Sequence, residues 1–124
     1  MGIVLILKKT VFRGTGYNAL KGMGLSKAEL LQNPKLLVGK TYTDKGFMST
    51  ATDYQTAKEY SQGKVLWKIK LPKGAKAVKQ SELSQDGGPE ITIQRNAELK
   101  ITRALMSNGV LLINAKYVKI KNRK

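Results

Sequence analysis

The chain has 124 residues, which is enough for a single domain with a buried two-layer core. It contains no cysteine and no histidine, so disulfide bonds, thiolate metal sites and histidine-based triads are excluded, and any catalysis rests on carboxylates, hydroxyls and cationic side chains. The 23 Lys and Arg residues against 8 Asp and Glu residues give a formal charge of +15, which attracts polyanions such as nucleic acid, an anionic membrane or an acidic protein surface. The same lysines also suit a solvated surface that binds nothing.

The amino-terminal segment predicts a buried strand. Residues 3–12 are mostly β-branched or apolar, and the glycine-rich residues 13–16 predict a turn that places Arg13 at the strand end. The segment lacks the positive start and the cleavage site of a signal peptide. No run approaches the ~20 apolar residues of a membrane span, so we expect a soluble chain. Residues 1–124 therefore read as one domain, either free or excised from a longer protein.

A capping box predicts the first helix. Ser26 and Glu29 have the spacing at which each side chain satisfies a backbone N–H group of the other residue, and the helix is expected over residues 27–33. An extended loop over residues 36–45 and a strand over residues 46–51 follow.

A second capping box of the same kind predicts the second helix. Thr52 and Gln55 begin it, and Gly63 ends it. Apolar residues then alternate with lysines over residues 65–71, which indicates a half-buried strand that ends at Pro72.

The last part of the chain predicts a loop, a strand and a hairpin. Residues 80–89 are polar and contain glycine, whereas residues 90–94 alternate as a strand does. Two apolar strands over residues 99–105 and 110–118 flank an Asn-Gly pair, which suits a tight hairpin turn. The total of six or seven strands and two short helices indicates the α+β class, with a mixed, mostly antiparallel two-sheet β core.

Three polar residues lie at the edges of predicted strands, namely Arg13, Ser49 and Glu90, separated by 36 (49 − 13) and 41 (90 − 49) residues. An aromatic residue precedes Arg13 and a glycine follows it, and the segment around Ser49 reads aromatic-x-Ser-Thr-Ala. Residues 69–76 form a strand and a Pro-x-Gly turn, and apolar residues follow Glu90. This order resembles the mono-ADP-ribosyltransferase toxins of the Arg-Ser-Glu class, including the minimal domains of phage head-morphogenesis-associated proteins and bacterial exoenzymes.

The resemblance implies an ADP-ribosyltransferase-like fold and an enzyme that uses NAD as a substrate, without a metal. Glu90 is the implied catalytic carboxylate, because cleavage of the nicotinamide–ribose bond develops positive charge on the ribose. Arg13 is implied to hold the pyrophosphate. Ser49 is implied to order the site around the glutamate, Gly14 to bind the nicotinamide amide, and Thr50 to join Ser49 in binding NAD.

Two positions depart from the family pattern. The third residue of the Ser-Thr-Ser motif is Ala51, and the position two residues before the catalytic glutamate, where the family has an acceptor-selecting Glu or Gln, is Gly88. Gln85 and Asp86 in the same loop are candidate replacements, together with Glu82. The acceptor residue type is therefore open.

Three functions remain in competition. The first is transfer of ADP-ribose to a macromolecular acceptor, with a protein ahead of a nucleic acid, by a toxin or phage effector that is secreted or delivered into a host cell. The second is an NAD glycohydrolase with water as the acceptor. The third is a non-enzymatic basic module that binds nucleic acid through its lysines.

Overall fold

The computed structural model describes residues 3–5, 7–81 and 90–121. Its nine strands are β1 (Ile3–Val4), β2 (Lys9–Thr15), β3 (Thr41–Asp44), β4 (Met48–Ala51), β5 (Val65–Leu71), β6 (Lys76–Ser81), β7 (Glu90–Ile93), β8 (Ala97–Ser107) and β9 (Val110–Ile120). The α-helices are α1 (Lys27–Gln32) and α2 (Tyr54–Ser61), and 3-10 helices span Tyr17–Leu20 and Pro34–Leu37. None of the helices in these ranges has the length and apolar character needed to cross a membrane. The predicted α+β class is confirmed.

All nine described strands belong to one sheet, in the order β1-β6-β7-β4-β2-β5-β9-β8-β3. The pairing of β5 with β9 is parallel and every other pairing is antiparallel, so the prediction of a mixed, mostly antiparallel core is confirmed. The sequence predicts two sheets, and hydrogen bonding joins them into one. The joint is narrow, because β2 and β4 share the single pair Phe12–Ala51, whereas β2 pairs with β5 along its whole length.

The half of the sheet from β2 to β3 curls around the main hydrophobic core. Tyr42 of β3 packs against Trp67 of β5, with ring centroids 5.0 Å apart and ring planes at 44°, although two strands lie between β5 and β3 in the sheet. The right-handed twist of neighbouring strands accumulates across a sheet and permits this closure. Val11, Leu99 and Ile113 fill the enclosed space and are fully buried. The curl brings β3 back over the strands that carry the site.

The predicted amino-terminal strand is divided in two, which corrects the placement of Arg13. β1 pairs with β6, and β2 pairs with β4 and β5. Arg13 and Gly14 therefore lie inside β2 and not at its end, because pairing with β5 continues as far as Thr15. The glycine-rich turn predicted at residues 13–16 was wrong at its first three positions.

The predicted start is correct for helix α1 and wrong by one residue for helix α2. At α1 the capping box is confirmed, since the Ser26 backbone N–H donates to the Glu29 carboxylate at 2.9 Å and the Glu29 N–H donates to the Ser26 hydroxyl at 3.1 Å. At α2 the predicted cap Thr52 was wrong, and Asp53 is the cap. The Asp53 carboxylate accepts from both the backbone N–H and the hydroxyl of Thr56, at 3.0 and 2.7 Å.

The late strands follow the predicted order. β5 spans the predicted residues, and Asn108 and Gly109 turn the β8–β9 hairpin with φ values of 51° and 82°. Two strands were missed, because β3 and β6 fall in segments predicted as loop or left unassigned. β3 is a polar edge strand without apolar alternation, which hides it from a pattern of period two.

Candidate active site

A cleft opens where β2 and β4 separate beyond the Phe12–Ala51 pair. Helix α2 forms its third side, and the cleft encloses about 260 Å³. Its lining residues come from these three elements and are Phe12, Arg13, Gly14, Ser49, Thr50, Ala51, Thr56, Ala57 and Tyr60. The structure therefore gathers four of the predicted site residues, Arg13, Gly14, Ser49 and Thr50, around one opening.

Gly14 allows α2 to form the wall of the cleft. A Cβ atom added to Gly14 would lie well inside van der Waals distance of the Ala57 carbonyl oxygen and the Ser61 backbone nitrogen. The helix backbone thus packs directly on the strand backbone, and any side chain at this position would push the two apart. By contrast, the nearest atom to a Cβ on Gly16 would be the Lys64 Cδ at 4.0 Å.

Arg13 bridges the gap that the β2–β4 ladder leaves open. Its Nη1 donates a hydrogen bond to the Ser49 carbonyl oxygen at 3.0 Å, and its Nη2 lies 3.6 Å from the Asp44 Oδ2. The guanidinium side chain is 22% exposed. The guanidinium has further N–H donors beyond those two contacts. Arg13 is therefore held in place and can still donate hydrogen bonds to a ligand.

Asp44 supports Arg13 from β3, and nothing in the sequence pointed to it. Its Oδ2 accepts from the Tyr42 hydroxyl at 3.1 Å, and its Oδ1 accepts from the Gly46 N–H at 2.9 Å. Burial, followed by the charge and hydrogen bond of Asp44, raises the pKa of Tyr42 to about 12, while Arg13 opposes the shift. Within the described ranges, no group of three or more acidic side chains is arranged to hold a metal ion.

Ser49 and Thr50 face different surroundings. Ser49 is exposed and lines the cleft, whereas the buried Thr50 hydroxyl donates to the Ile91 carbonyl oxygen of β7 at 2.7 Å. Thr50 therefore ties β4 to β7 from the base of the cleft. Its predicted contact with NAD stays a prediction, as does the catalytic role of Ser49.

Glu90 is the first residue of β7, and its backbone pairs with Ala51 of β4. Ser49 pairs with Thr92 in the same ladder, so Arg13, Ser49 and Glu90 belong to three adjacent strands, β2, β4 and β7. The catalytic role of Glu90 stays a prediction. The candidate acceptor-loop residues, Gln85, Asp86 and Gly88, lie outside the described residues.

Helix α2 contributes cleft residues that we did not single out from the sequence. Thr56 and Tyr60 lie one helical turn apart and both line the cleft, and Tyr60 is 61% exposed. Their i, i+4 spacing behind a capped start was a usable signal, because it places both side chains on one face of the helix.

The sequence model of a protein family described as ADP-ribosyltransferase exoenzyme matches residues 8–122. The chain belongs to the ADP-ribosyltransferase exoenzyme family. The predicted resemblance to mono-ADP-ribosyltransferase toxins is thereby confirmed, while the association with phage proteins stays a prediction. Among curated proteins, none matches the chain significantly.

Solved structures of bacterial proteins, ADP-ribosyltransferases among them, share the fold of this exoenzyme domain. C3stau2 from S. aureus, solved with NAD, matches with a TM-score of 0.74 and 22% identity over 94% of this chain and 64% of its own. An ADP-ribosyltransferase from Clostridium botulinum gives a TM-score of 0.72 and 19% identity over 93% and 62%. The C3larvin toxin from Paenibacillus larvae gives 0.68 and 25% over 94% and 69%. The chain thus spans slightly less than two thirds of the S. aureus and C. botulinum proteins.

Proposed function

We propose that this exoenzyme domain is an NAD-dependent mono-ADP-ribosyltransferase that cleaves the nicotinamide–ribose bond and transfers ADP-ribose to a macromolecular acceptor, a protein first. The observation that carries the proposal is the cleft at which Arg13, Gly14 and Ser49 meet, with Glu90 on the neighbouring strand. The family match over residues 8–122 and the similar fold of an S. aureus protein solved with NAD add support.

In the proposed reaction the bond between ribose C1′ and the nicotinamide nitrogen breaks, and nicotinamide leaves as a neutral molecule with the bonding electrons. The ribose gains oxocarbenium character, and the Glu90 carboxylate stabilises that charge and accepts a hydrogen bond from a ribose hydroxyl. The acceptor nucleophile then bonds to C1′ and gives up its proton to water. Ser49, on the strand between Arg13 and Glu90, orders the polar groups of the site.

Arg13 suits the binding of the pyrophosphate. Its contacts with the Ser49 carbonyl and with Asp44 restrict a long side chain before the substrate arrives, which lowers the entropy lost on binding. A guanidinium can bind phosphate oxygens through charge-assisted, bidentate hydrogen bonds. Gly14, whose backbone forms part of the cleft wall, is assigned the nicotinamide amide.

The size of the cleft fits one end of the dinucleotide. Its volume of about 260 Å³ is close to the lower limit of small-molecule sites, which enclose ~300–1,000 Å³. Tyr60 exposes its ring at the rim, and Thr56 supplies a hydroxyl beside it. We assign the cleft to the nicotinamide–ribose end, because Gly14, which is proposed to bind the nicotinamide amide, forms part of its wall.

NAD glycohydrolase activity is the second candidate, and the sequence position of Gly88 favours it. In the resembling family a Glu or Gln at this position helps to select and activate the acceptor, and glycine has no side chain for that task. Water would then accept the ADP-ribose.

Labelling with biotin-NAD distinguishes these functions. Wild type and Glu90→Gln are incubated in parallel with a host lysate, and the products are resolved by blotting and by chromatography of the nucleotides. Transfer predicts labelled protein bands with wild type and none with Glu90→Gln. Free ADP-ribose without any labelled macromolecule would instead assign the glycohydrolase.

The proposal includes a toxin or effector role, with secretion or delivery into a host cell. Relatives with this fold include toxins of Paenibacillus larvae and Clostridium botulinum. Expression of the chain inside a host cell should arrest growth, and Glu90→Gln should restore it. Equal growth of cells that express wild type and cells that express Glu90→Gln would contradict the toxin role.

A further inference from the structure

The outer face of the curled half of the sheet carries lysines in register on adjacent strands. Lys70 of β5 pairs with Lys116 of β9, which in turn pairs with Lys100 of β8. All three side chains are exposed, and no acidic residue separates them in this row. Like charges directly opposite one another on a sheet are destabilising. Such a row is therefore expected where an anion offsets the repulsion.

Surface depressions join along this face into one trough. A groove of about 530 Å³ at one end of this face is lined by the lysines Lys8, Lys9, Lys70 and Lys116 and by the apolar residues Leu71, Pro72 and Tyr117. A second depression of about 210 Å³ shares Lys70 and Lys116 with the first and extends to Lys68 and Asn114. Buried Ala115 lies in its floor. We call this continuous depression the basic trough.

The basic trough ends at an aromatic pair. A third depression shares Lys68 and Asn114 with the second and reaches Phe12 and Tyr54. The Phe12 and Tyr54 rings meet edge to face with centroids 5.6 Å apart, and Tyr54 is 47% exposed. Phe12 also lines the candidate active site, so the trough and the cleft adjoin at this residue.

We propose that the basic trough binds single-stranded nucleic acid. The lysines contact successive phosphates, since cationic grooves track a nucleic-acid backbone, and an unpaired base stacks on the exposed Tyr54 ring beside Phe12. Single strands fit because a base paired within a duplex has no free face for this ring. An anionic membrane also offers phosphates to the lysines, so binding to anionic vesicles is measured below as the competing outcome.

This binding surface goes beyond the proposed transferase reaction and does not depend on it. It would hold the domain on nucleic acid with the cleft alongside, whichever acceptor the cleft modifies. The distinction matters because the formal charge of +15 alone attracts any polyanion. The test must therefore separate the trough from the total charge.

The test measures the fluorescence anisotropy of a labelled oligouridine at several salt concentrations. It compares wild type with the double variant Lys70→Gln/Lys116→Gln and with Lys21→Gln/Lys35→Gln, which removes the same charge from exposed lysines outside the trough. We expect the trough variant to bind at least roughly tenfold more weakly, with a salt slope shallower by about 1.4, that is 0.7 for each lost phosphate contact. The control variant should retain wild-type affinity within about twofold.

A third variant, Tyr54→Leu, tests stacking apart from charge. Its affinity should fall roughly five- to a hundredfold while the salt slope stays unchanged. Equal losses in the two double variants would overturn the proposal, because they would show attraction by total charge alone. Tighter binding of a duplex of the same length, or binding to phosphatidylserine vesicles that depends on Lys70 and Lys116 when oligouridine binding does not, would also contradict it.

Discussion

At the scale of single residues, the position of Arg13 depends on contacts from two other strands. The Ser49 carbonyl belongs to β4 and the Asp44 carboxylate to β3, and both meet one guanidinium. Because Arg13 is partly exposed, its ion pair adds at most ~1 kcal/mol to folding stability. Its contribution is therefore expected in binding more than in stability.

Replacement of Arg13 by lysine tests this contribution. Arg13→Lys keeps the charge and loses the planar set of donors, so we expect the KM for NAD to rise roughly tenfold or more, with kcat changed little and the unfolding free energy nearly unchanged. Steady-state NAD cleavage and urea unfolding measure the two effects. Arg95→Lys is the control, since Arg95 stacks on Phe47 and does not line the cleft. An unchanged KM in Arg13→Lys would remove the pyrophosphate role.

Tyr42 predicts a pH dependence of stability. Its pKa rises from 10.0 in the unfolded chain to about 12 in the fold, mainly through burial and then through Asp44. The folded state therefore holds the proton more tightly, and the stabilisation is complete below pH 10 and lost as the pH rises towards about 12. The loss should be ~1–2 kcal/mol after allowance for solvent screening.

Urea unfolding between pH 9 and 12 measures this effect in wild type and Tyr42→Phe. Lysine deprotonation acts on both proteins equally, so the difference between their curves isolates Tyr42. We expect the difference in unfolding free energy to shrink over this interval. A constant difference would show that the pKa of Tyr42 is not raised.

At the scale of elements, the close approach of α2 to β2 depends on Gly14. Gly14→Ala should lower the unfolding free energy by roughly 1–3 kcal/mol, because the added methyl group meets the backbone of the helix. Gly16→Ala should change the unfolding free energy by less than about 0.5 kcal/mol, because the nearest atom to the added Cβ, the Lys64 Cδ, lies 4.0 Å away. The single tryptophan, Trp67, reports unfolding by fluorescence. Equal effects of the two substitutions would contradict the packing described.

Elements with strong local signals were predictable from the sequence. The Ser26–Glu29 capping box, the alternation of β5 and the Asn108-Gly109 turn each act within a few residues. Elements that depend on distant partners were not. β2 continues through Gly14 because β5 pairs with it, and no local pattern reveals that partner. The spacing of residues also does not determine whether Thr52 or Asp53 caps α2, and the structure shows that Asp53 does so.

At the scale of the whole molecule, the two halves of the sheet meet at the narrow Phe12–Ala51 joint. The curled half contains the long ladders of β5, β8 and β9. We expect native-state hydrogen exchange to be slowest in these three strands and faster in β4 and β7, since the latter connect to the core through short ladders. Slowest exchange in β7 would contradict this division.

The arrangement of the site was predictable only in part, because it also depends on contacts between segments that are distant in the sequence. The order of Arg13, Ser49 and Glu90 along the sequence identified the family, and the structure brings their strands side by side. Asp44 and Tyr60 were not predicted as site residues, because their proximity to the cleft arises from the curl of the sheet and the docking of α2. The parallel pairing of β5 with β9 likewise joins segments that no local pattern connects.

We propose Glu90 as the catalytic carboxylate of an NAD-cleaving site, and the cleavage of etheno-NAD measures this role. The initial rates of wild type and Glu90→Gln are compared, with Glu98→Gln of β8 as a matched control outside the cleft. Loss of one electrostatic stabiliser should lower kcat by about 10²–10³ in Glu90→Gln, whereas Glu98→Gln should cleave at the wild-type rate. Equal rates in wild type and Glu90→Gln would contradict the assignment.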